Sequence, residues 1–300
     1  MCDSKTIHDE QQYLHLVKDI LENGEEVTGR NGTTKVKIGA TMRFSLKDGT
    51  IPILTTKKTA WKTCLKELLW FISGDTDNKT LKAQNVRIWN DNASLDFLHK
   101  ERGLFSYHED ELGPVYGFQW RHFNAPYKGC EADYREQGID QLKNIIQDLK
   151  DPIRRYSRRH ILTAWNPCQI DEMALPPCHL LCQFNVVNDK LSCCLYQRSG
   201  DVGLGVPFNI ASYSFLTHMI AKLTGLEAHE FIHFISNAHI YDDHYEALEE
   251  QIKREPYVFP KLSFINEVDT DVKTIDDFKI EHFIVSDYKY HEKVIMKMRK

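Results

Sequence analysis

Apolar residues recur at helical spacing over 9–23, where Tyr13, Leu14, Val17, Ile20 and Leu21 form one stripe and Gly24 follows as a stop. The pattern predicts an amphipathic helix with one face on the core. Glycine and threonine then crowd 27–34, which reads as a turn carrying Arg30, and 36–46 alternates as a strand through Ile38, Met42 and Phe44. Over 60–72 the pattern changes in kind. Trp61, Leu65, Leu68, Leu69, Trp70, Phe71 and Ile72 surround the predicted helix, so it should be buried, with Glu67 in its middle. A carboxylate there is either on a solvated face or a functional acid in a wet cavity, and helical spacing weighs the two equally.

The stretch from Trp89 and Asn92 to Tyr127 is aromatic and turn-rich around Gly113-Pro-Val-Tyr116-Gly-Phe-Gln-Trp120-Arg121, and its rings are read as core before ligand contacts. Ile139, Leu142, Ile145, Ile146 and Leu149 predict an amphipathic helix that stops near Asp151-Pro152, ahead of Arg154, Arg155, Arg158 and Arg159. Two apolar runs flank Asn188-Asp189-Lys190 and predict a hairpin starting at Cys178. A turn centred near 189 sets Cys178 across from about residue 200, within a residue or two, and brings Cys178 and Arg198 to the same end. An apolar helix over 210–223 closed by Gly225, a strand over 231–240 and an exposed helix over 244–254 complete the pattern. One α/β (α+β) domain over 1–300 is expected, with 1–8 a flexible extension.

Composition narrows the class. A hydrophobic content of 42% over 300 residues supplies a large core, and a net charge of -5 gives no global attraction to nucleic acid or anionic membrane. Anion binding must therefore be local. The eight cysteines include no CxxC pair, and no second ligand pair at zinc spacing joins Cys178 and Cys182, so no metal site is expected. No apolar run approaches the roughly 18 residues of a membrane span. An intracellular, reduced, disulfide-free protein is the expectation.

Against that background the span from Ala174 to Asn209 concentrates chemistry. Pro176 and Pro177 stiffen the approach to Cys178, which suits a nucleophile, although a lone cysteine at a strand start is more often a core residue. An arginine beside it, Arg198 with Ser199, would bind a phosphate and favour the thiolate. His179 is adjacent, but neighbouring strand residues point to opposite faces, so no Cys-His proton-transfer pair is assigned. Asn209, after Pro207 and Phe208, offers the acceptor and donors that read a pyrimidine edge presenting a carbonyl and an N–H, where an aspartate would suit an amino group. His239 and Tyr241 share a strand face and either grip a sugar hydroxyl or fill the core.

These residues resemble the thymidylate synthase family over 12–300, through Leu54-Thr-Thr-Lys57, Glu67-Leu-Leu-Trp-Phe71, the 113–121 segment, Ala164-Trp-Asn-Pro167, Leu175-Pro-Pro-Cys-His179, Gln197-Arg-Ser-Gly-Asp201, Gly205-Val-Pro-Phe-Asn209, Ala238-His-Ile-Tyr241 and Arg254-Glu-Pro256. The resemblance implies a cytoplasmic homodimer, with the nucleus left open, whose large mixed sheets pack back to back. It implies conversion of dUMP to dTMP by 5,10-methylenetetrahydrofolate, which supplies carbon and hydride, through a covalent bond from Cys178 to C6 of uracil, with no metal and no nucleic-acid partner. By the same likeness Arg30, Gln197, Arg198 and Ser199 bind dUMP, joined by Arg158 and Arg159 of the second subunit. Asn209 and Asp201 meet the base, His239 and Tyr241 the ribose. Glu67, Trp89, Asn92, Tyr116 and His179 line the catalytic cavity, with Glu67 organising proton transfers. Ile88, Trp89, Asn92, Asp201, Leu204, Gly205 and Phe208 face the folate.

The chain departs from the family pattern in three places. Arg30-Asn-Gly-Thr-Thr34 stands for the usual Arg-Thr-Gly-Thr-Gly-Thr, Ser236-Asn237 for Gly-Asp, and Met298-Arg299-Lys300 for Met-Ala-Val. In the family the tail closes over the ligands, so two cations there are expected to alter closure or folate affinity. Two competing readings are a hydroxymethylase of the same superfamily, which Asn209 opposes for a cytosine substrate, and a non-catalytic RNA- or protein-binding regulator, which Cys178, Glu67 and Asn209 oppose.

Overall fold

The structure, a computed structural model, describes residues 7–29 and 31–299. Six strands form one mixed sheet in the order β1-β2-β6-β5-β4-β3. They are β1 (Glu25–Gly29), β2 (Gly32–Ser45), β3 (Ile161–Thr163), β4 (His179–Val187), β5 (Lys190–Asp201) and β6 (Glu227–Tyr241). Only β5 and β6 run parallel, and the connection between them is the 20-residue helix α6 described below. A short antiparallel pair, β7 (Lys261–Phe264) and β8 (Phe283–Ser286), stands apart.

The helices are α1 (Glu10–Asn23), α2 (Trp61–Ser73), α3 (Asn78–Ala83), α4 (Gly117–His122), α5 (Gln141–Lys150), α6 (Gly205–Thr224), α7 (Tyr245–Gln251) and α8 (Val268–Asp271). Helix α6 lies against β5 and β6 and is buried almost all round, from Val206 and Ile210 to Thr224, so it forms the centre of the core. Helix α2 packs on α6 with Cys64, Leu65, Leu68, Trp70, Phe71 and Ile72 buried, as its apolar circumference predicts.

Several expectations need correction. The 27–34 segment carries two paired strands rather than a turn alone, because Val27, Thr28 and Gly29 pair with Thr34, Thr33 and Gly32 across β1 and β2. Arg30 itself lies outside the described residues, as do 1–6 of the expected extension. His8 is ordered against Phe259, with ring centroids 4.5 Å apart. Helix α6 starts at Gly205 rather than 210, since Pro207 falls in its first turn, where a missing N–H leaves no hydrogen bond unmade. Ile139 precedes α5 and is 55% exposed; the helix begins where Asp140 accepts from Lys143 N at 2.9 Å. The 244–254 helix is shorter, and His244, Leu248 and Gln251 bury one of its faces.

The predicted hairpin is β4–β5, and Cys178 faces Arg198, at the edge of the expected range around residue 200, with Arg198 N donating to Cys178 O at 2.8 Å. Asn188 (φ 50°) and Asp189 (φ 57°) make a two-residue turn, and the register shifts by one between His179 and Leu181. On the sheet face away from α6, Thr41, Phe234, Tyr196, Leu181 and Thr163 form a continuous cross-strand row over five strands. Phe234 and Tyr196 in that row are about two-fifths exposed. No helix among the described residues is long and apolar enough to cross a membrane.

Candidate active site

Cys178 sits just before β4 on a loop held from three sides. Its N–H donates to the Tyr116 hydroxyl at 2.8 Å. Arg198 donates through Nε to Pro177 O at 2.7 Å and through Nη2 to Pro176 O at 2.9 Å, and Nη2 also lies 3.7 Å from the Cys178 Sγ. Both proline carbonyls are thus satisfied by the guanidinium. Arg198 therefore fastens the Cys178 loop as well as charging its surroundings. Burial nevertheless pushes the Cys178 thiol above its ordinary value, and Arg198 only opposes this, so the expected bias toward thiolate is not achieved within one chain.

Tyr116 carries the strain of the site. At φ 21° and ψ -83° it occupies a conformation that costs a non-glycine residue on the order of 1–3 kcal/mol. Surrounding rings fix it: His179 stacks at 4.1 Å between centroids, Phe71 lies at 4.8 Å and Trp89 at 5.9 Å. His179 is buried, bonds the Tyr213 hydroxyl through Nδ1 at 2.8 Å, and is lowered by burial to about 3, so it is neutral. It reaches the site through the Tyr116 ring rather than through the thiol.

Glu67, from α2, accepts from Trp89 Nε1 at 2.8 Å. It is neither fully solvated nor sealed, and enclosure lifts its carboxyl to about 7 against the opposing Trp89 hydrogen bond. Its surroundings are those of an enclosed carboxyl rather than of a solvated helix face. Ile88 and Asn92, on either side of Trp89, are half-buried.

The turn from β5 into α6 gathers the remaining residues. Asp201 Oδ1 accepts from Gly203 N at 2.9 Å and Leu204 N at 3.3 Å, which fixes the carboxylate beside Gly205. Phe208 is partly buried and its carbonyl accepts from Cys64 Sγ. Asn209 Oδ1 accepts from Gln197 Nε2 at 3.0 Å, and Gln197 Oε1 in turn is 2.7 Å from His233 Nε2. His233 is fully buried and lowered by burial to about 3, so its Nε2–H donates and this chain sets the orientation of the Asn209 amide. Sequence reasoning missed His233; its signal was the inward parity it shares with Phe231 and Ile235 on β6.

A cleft of about 460 Å³ opens beside this cluster, lined by Arg198, Ser199, Asn237, His239, Tyr241 and the β1–β2 hairpin. His239 and Tyr241 thus line a cavity instead of filling the core, with ring centroids 5.3 Å apart. Asn237 Oδ1 lies 3.0 Å from His239 Nδ1, which makes Nδ1 the protonated nitrogen and leaves Nε2 as an acceptor. Arg158 and Arg159 are not brought to this cleft. They stand exposed just before β3. Among the described residues no group of His, Cys, Asp or Glu is arranged to hold a metal ion.

The profile of the thymidylate synthase family matches residues 11–300. The thymidylate synthase of Saccharomyces cerevisiae is 51% identical, over 97% of this chain and 97% of its own length. That of Agaricus bisporus is 49% identical over 97% and 99%, and the human enzyme 51% identical over 97% and 91%.

Proposed function

The chain belongs to the thymidylate synthase family, and we propose that Cys178 is the nucleophile of its reaction. That reaction is the reductive methylation of dUMP to dTMP, with 5,10-methylenetetrahydrofolate giving carbon and hydride and leaving as dihydrofolate. The Cys178 thiolate adds to C6 of uracil and drives the electron pair to C5, which bonds to the folate methylene. Loss of the C5 proton, elimination of the folate nitrogen and hydride transfer to the exocyclic methylene follow, and the thiolate is expelled. Thiol and folate supply all the atoms and electrons, so no metal is needed.

The observation that carries this reading is that the adjacent residues Gln197 and Arg198 hold the Asn209 amide and the Cys178 loop, and that Arg198 also lines the cleft. With its Oδ1 held, Asn209 has its NH2 to donate to a uracil carbonyl, and a second lone pair for N3–H. Arg198, Ser199 and Arg30 suit the phosphate, His239 Nε2 and the Tyr241 hydroxyl suit the ribose, and Glu67 near neutrality suits proton exchange through water. Trp89, Ile88, Asn92, Asp201, Leu204, Gly205 and Phe208 form the folate side.

A homodimer completes this reading. The half-exposed Phe234–Tyr196 row is an apolar sheet face with no helix upon it, and exposed Arg158 and Arg159 beside β3 are available to a second copy's phosphate site. The substrates are small diffusible molecules, which supports a cytoplasmic setting, and a fluorescent fusion distinguishes that from the nucleus. Incubation with dUMP and 5,10-methylenetetrahydrofolate should yield dihydrofolate and, by mass analysis, dTMP. Cys178→Ala should abolish turnover; wild-type rates in that variant, or hydroxymethyl-dUMP as the product, would overturn the reading.

A further inference from the structure

The last described residues run back along the rim of the cleft. His244, fully buried, lies with Nε2 2.7 Å from Lys297 O, and Met296 Sδ lies so close to Gly203 that a Cβ there would meet it at 3.1 Å. Arg299 then reaches the turn after β6. Its Nη2 is 3.1 Å from Asp242 Oδ1 and 3.0 Å from Asp243 Oδ2, and its Nε is 3.3 Å from Asp243 Oδ1.

The same guanidinium touches both walls of the cleft. Its carbon lies 5.8 Å from the Tyr241 ring centroid, and Nη1 lies 3.7 Å from where a Cβ on Gly32 would stand. Tyr241 and Gly32 both line the cleft, one from β6 and one from the β1–β2 hairpin. A planar fork shared between two carboxylates has a fixed direction, which a lysine ammonium does not. The fork so directed lies beside the Tyr241 ring and Gly32, while a side-chain hydrogen bond joins Tyr241 to Asn31.

We propose that Arg299 is a positioning residue for nucleotide binding: by clasping Asp242 and Asp243 it ties the tail down and holds Tyr241 and the Gly32 end of β2 in the geometry that receives dUMP. The proposal rests on the assignment of the cleft to dUMP. Side-chain exposures of 30% for Arg299, 48% for Asp242 and 33% for Asp243 leave the clasp open to solvent, so its effect is moderate and sensitive to salt.

Arg299→Ala should raise KM for dUMP about tenfold while kcat changes less than about twofold, with Arg299→Lys between the two. The pair Asp242→Asn with Asp243→Asn should reproduce the effect, and combining it with Arg299→Ala should add little. Wild-type KM should rise more steeply with salt than that of Arg299→Ala. In the ligand-free protein, the ladder amides over 32–34, which pair with β1 and β6 beside Arg299, should exchange at least about fivefold faster in Arg299→Ala. Unchanged KM, or a fall in kcat at constant KM, overturns the positioning role, and unchanged exchange overturns the clasp. If the wild type fails to turn dUMP over, the functional reading fails instead, and the exchange measurement still decides the clasp.

Discussion

Glu67→Gln removes the ability to ionise and keeps the shape, so it isolates what burial does to this carboxyl. The amide oxygen can still accept from Trp89 Nε1, which sits 2.8 Å from the carboxylate now. Raising the carboxyl from 4.5 to about 7 means that ionising it in the folded state costs about 3 kcal/mol more than in the unfolded chain. Partial access to water reduces that to about 2 kcal/mol. Because the folded pKa lies above the unfolded one, the protonated form stabilises the fold fully below about pH 4.5, and this contribution is lost as pH rises through about 7. Urea unfolding of both proteins should therefore show the variant gaining about 2 kcal/mol relative to wild type between pH 4.5 and pH 8.5, with turnover lost at every pH. A stability difference that does not change with pH would refute the reasoning, because it would place Glu67 in water-like surroundings in the folded state.

Arg198→Ala should move the pH profile of Cys178 alkylation to higher pH, since the charge that opposes burial is gone, and should lower stability by about 2 kcal/mol through the freed Pro176 and Pro177 carbonyls. A profile moved to lower pH would contradict this account of the thiol. Asn209→Asp replaces the donor proposed to face uracil by an acceptor while Gln197 can still donate to it, so calorimetry should find dUMP bound about a hundredfold more weakly and dCMP more tightly. Unchanged preference would remove Asn209 from base reading. Tyr196→Asp combined with Phe234→Asp should halve the mass observed in sedimentation, and a wild type that sediments as a single chain would refute the sheet-face dimer.

What the sequence made legible was what local pattern determines. Helix α2 could be read from its apolar circumference, and the Cys178–Arg198 pairing from two apolar runs around Asn188-Asp189. The errors fall where pairing across strands, near or far in the chain, decides. Threonine and glycine at 27–34 look like a loop until Thr28 and Thr33 meet across a ladder, their hydroxyls 3.1 Å apart. The His233–Gln197–Asn209 chain joins two parallel strands separated by a whole helix, so no spacing announces it. Of the two residues between the expected partner near 200 and Arg198, one comes from a turn centred between Asn188 and Asp189 and one from the bulge beside His179, a feature of packing rather than of residue type.

The proton chemistry of the cluster can be argued from its surroundings. His179 is held neutral by burial, and the Tyr116 hydroxyl is pushed well above its ordinary value, first by burial and then by Cys178. Neither can take a proton from the thiol near neutrality. The thiol is itself raised, and the dUMP phosphate would add a negative charge near Arg198, raising it further. Glu67 alone among these residues is brought close to neutral pH, and its tie to Trp89 leaves one carboxylate oxygen to meet water or substrate. Proton exchange therefore has its natural store on α2, while Arg198 and the arginines proposed to come from a second copy supply the positive charge that makes thiolate attack on C6 affordable at the moment of reaction. On this argument nucleophile activation depends on assembly, and a single-chain variant should fold and yet alkylate at Cys178 more slowly than the dimer at neutral pH.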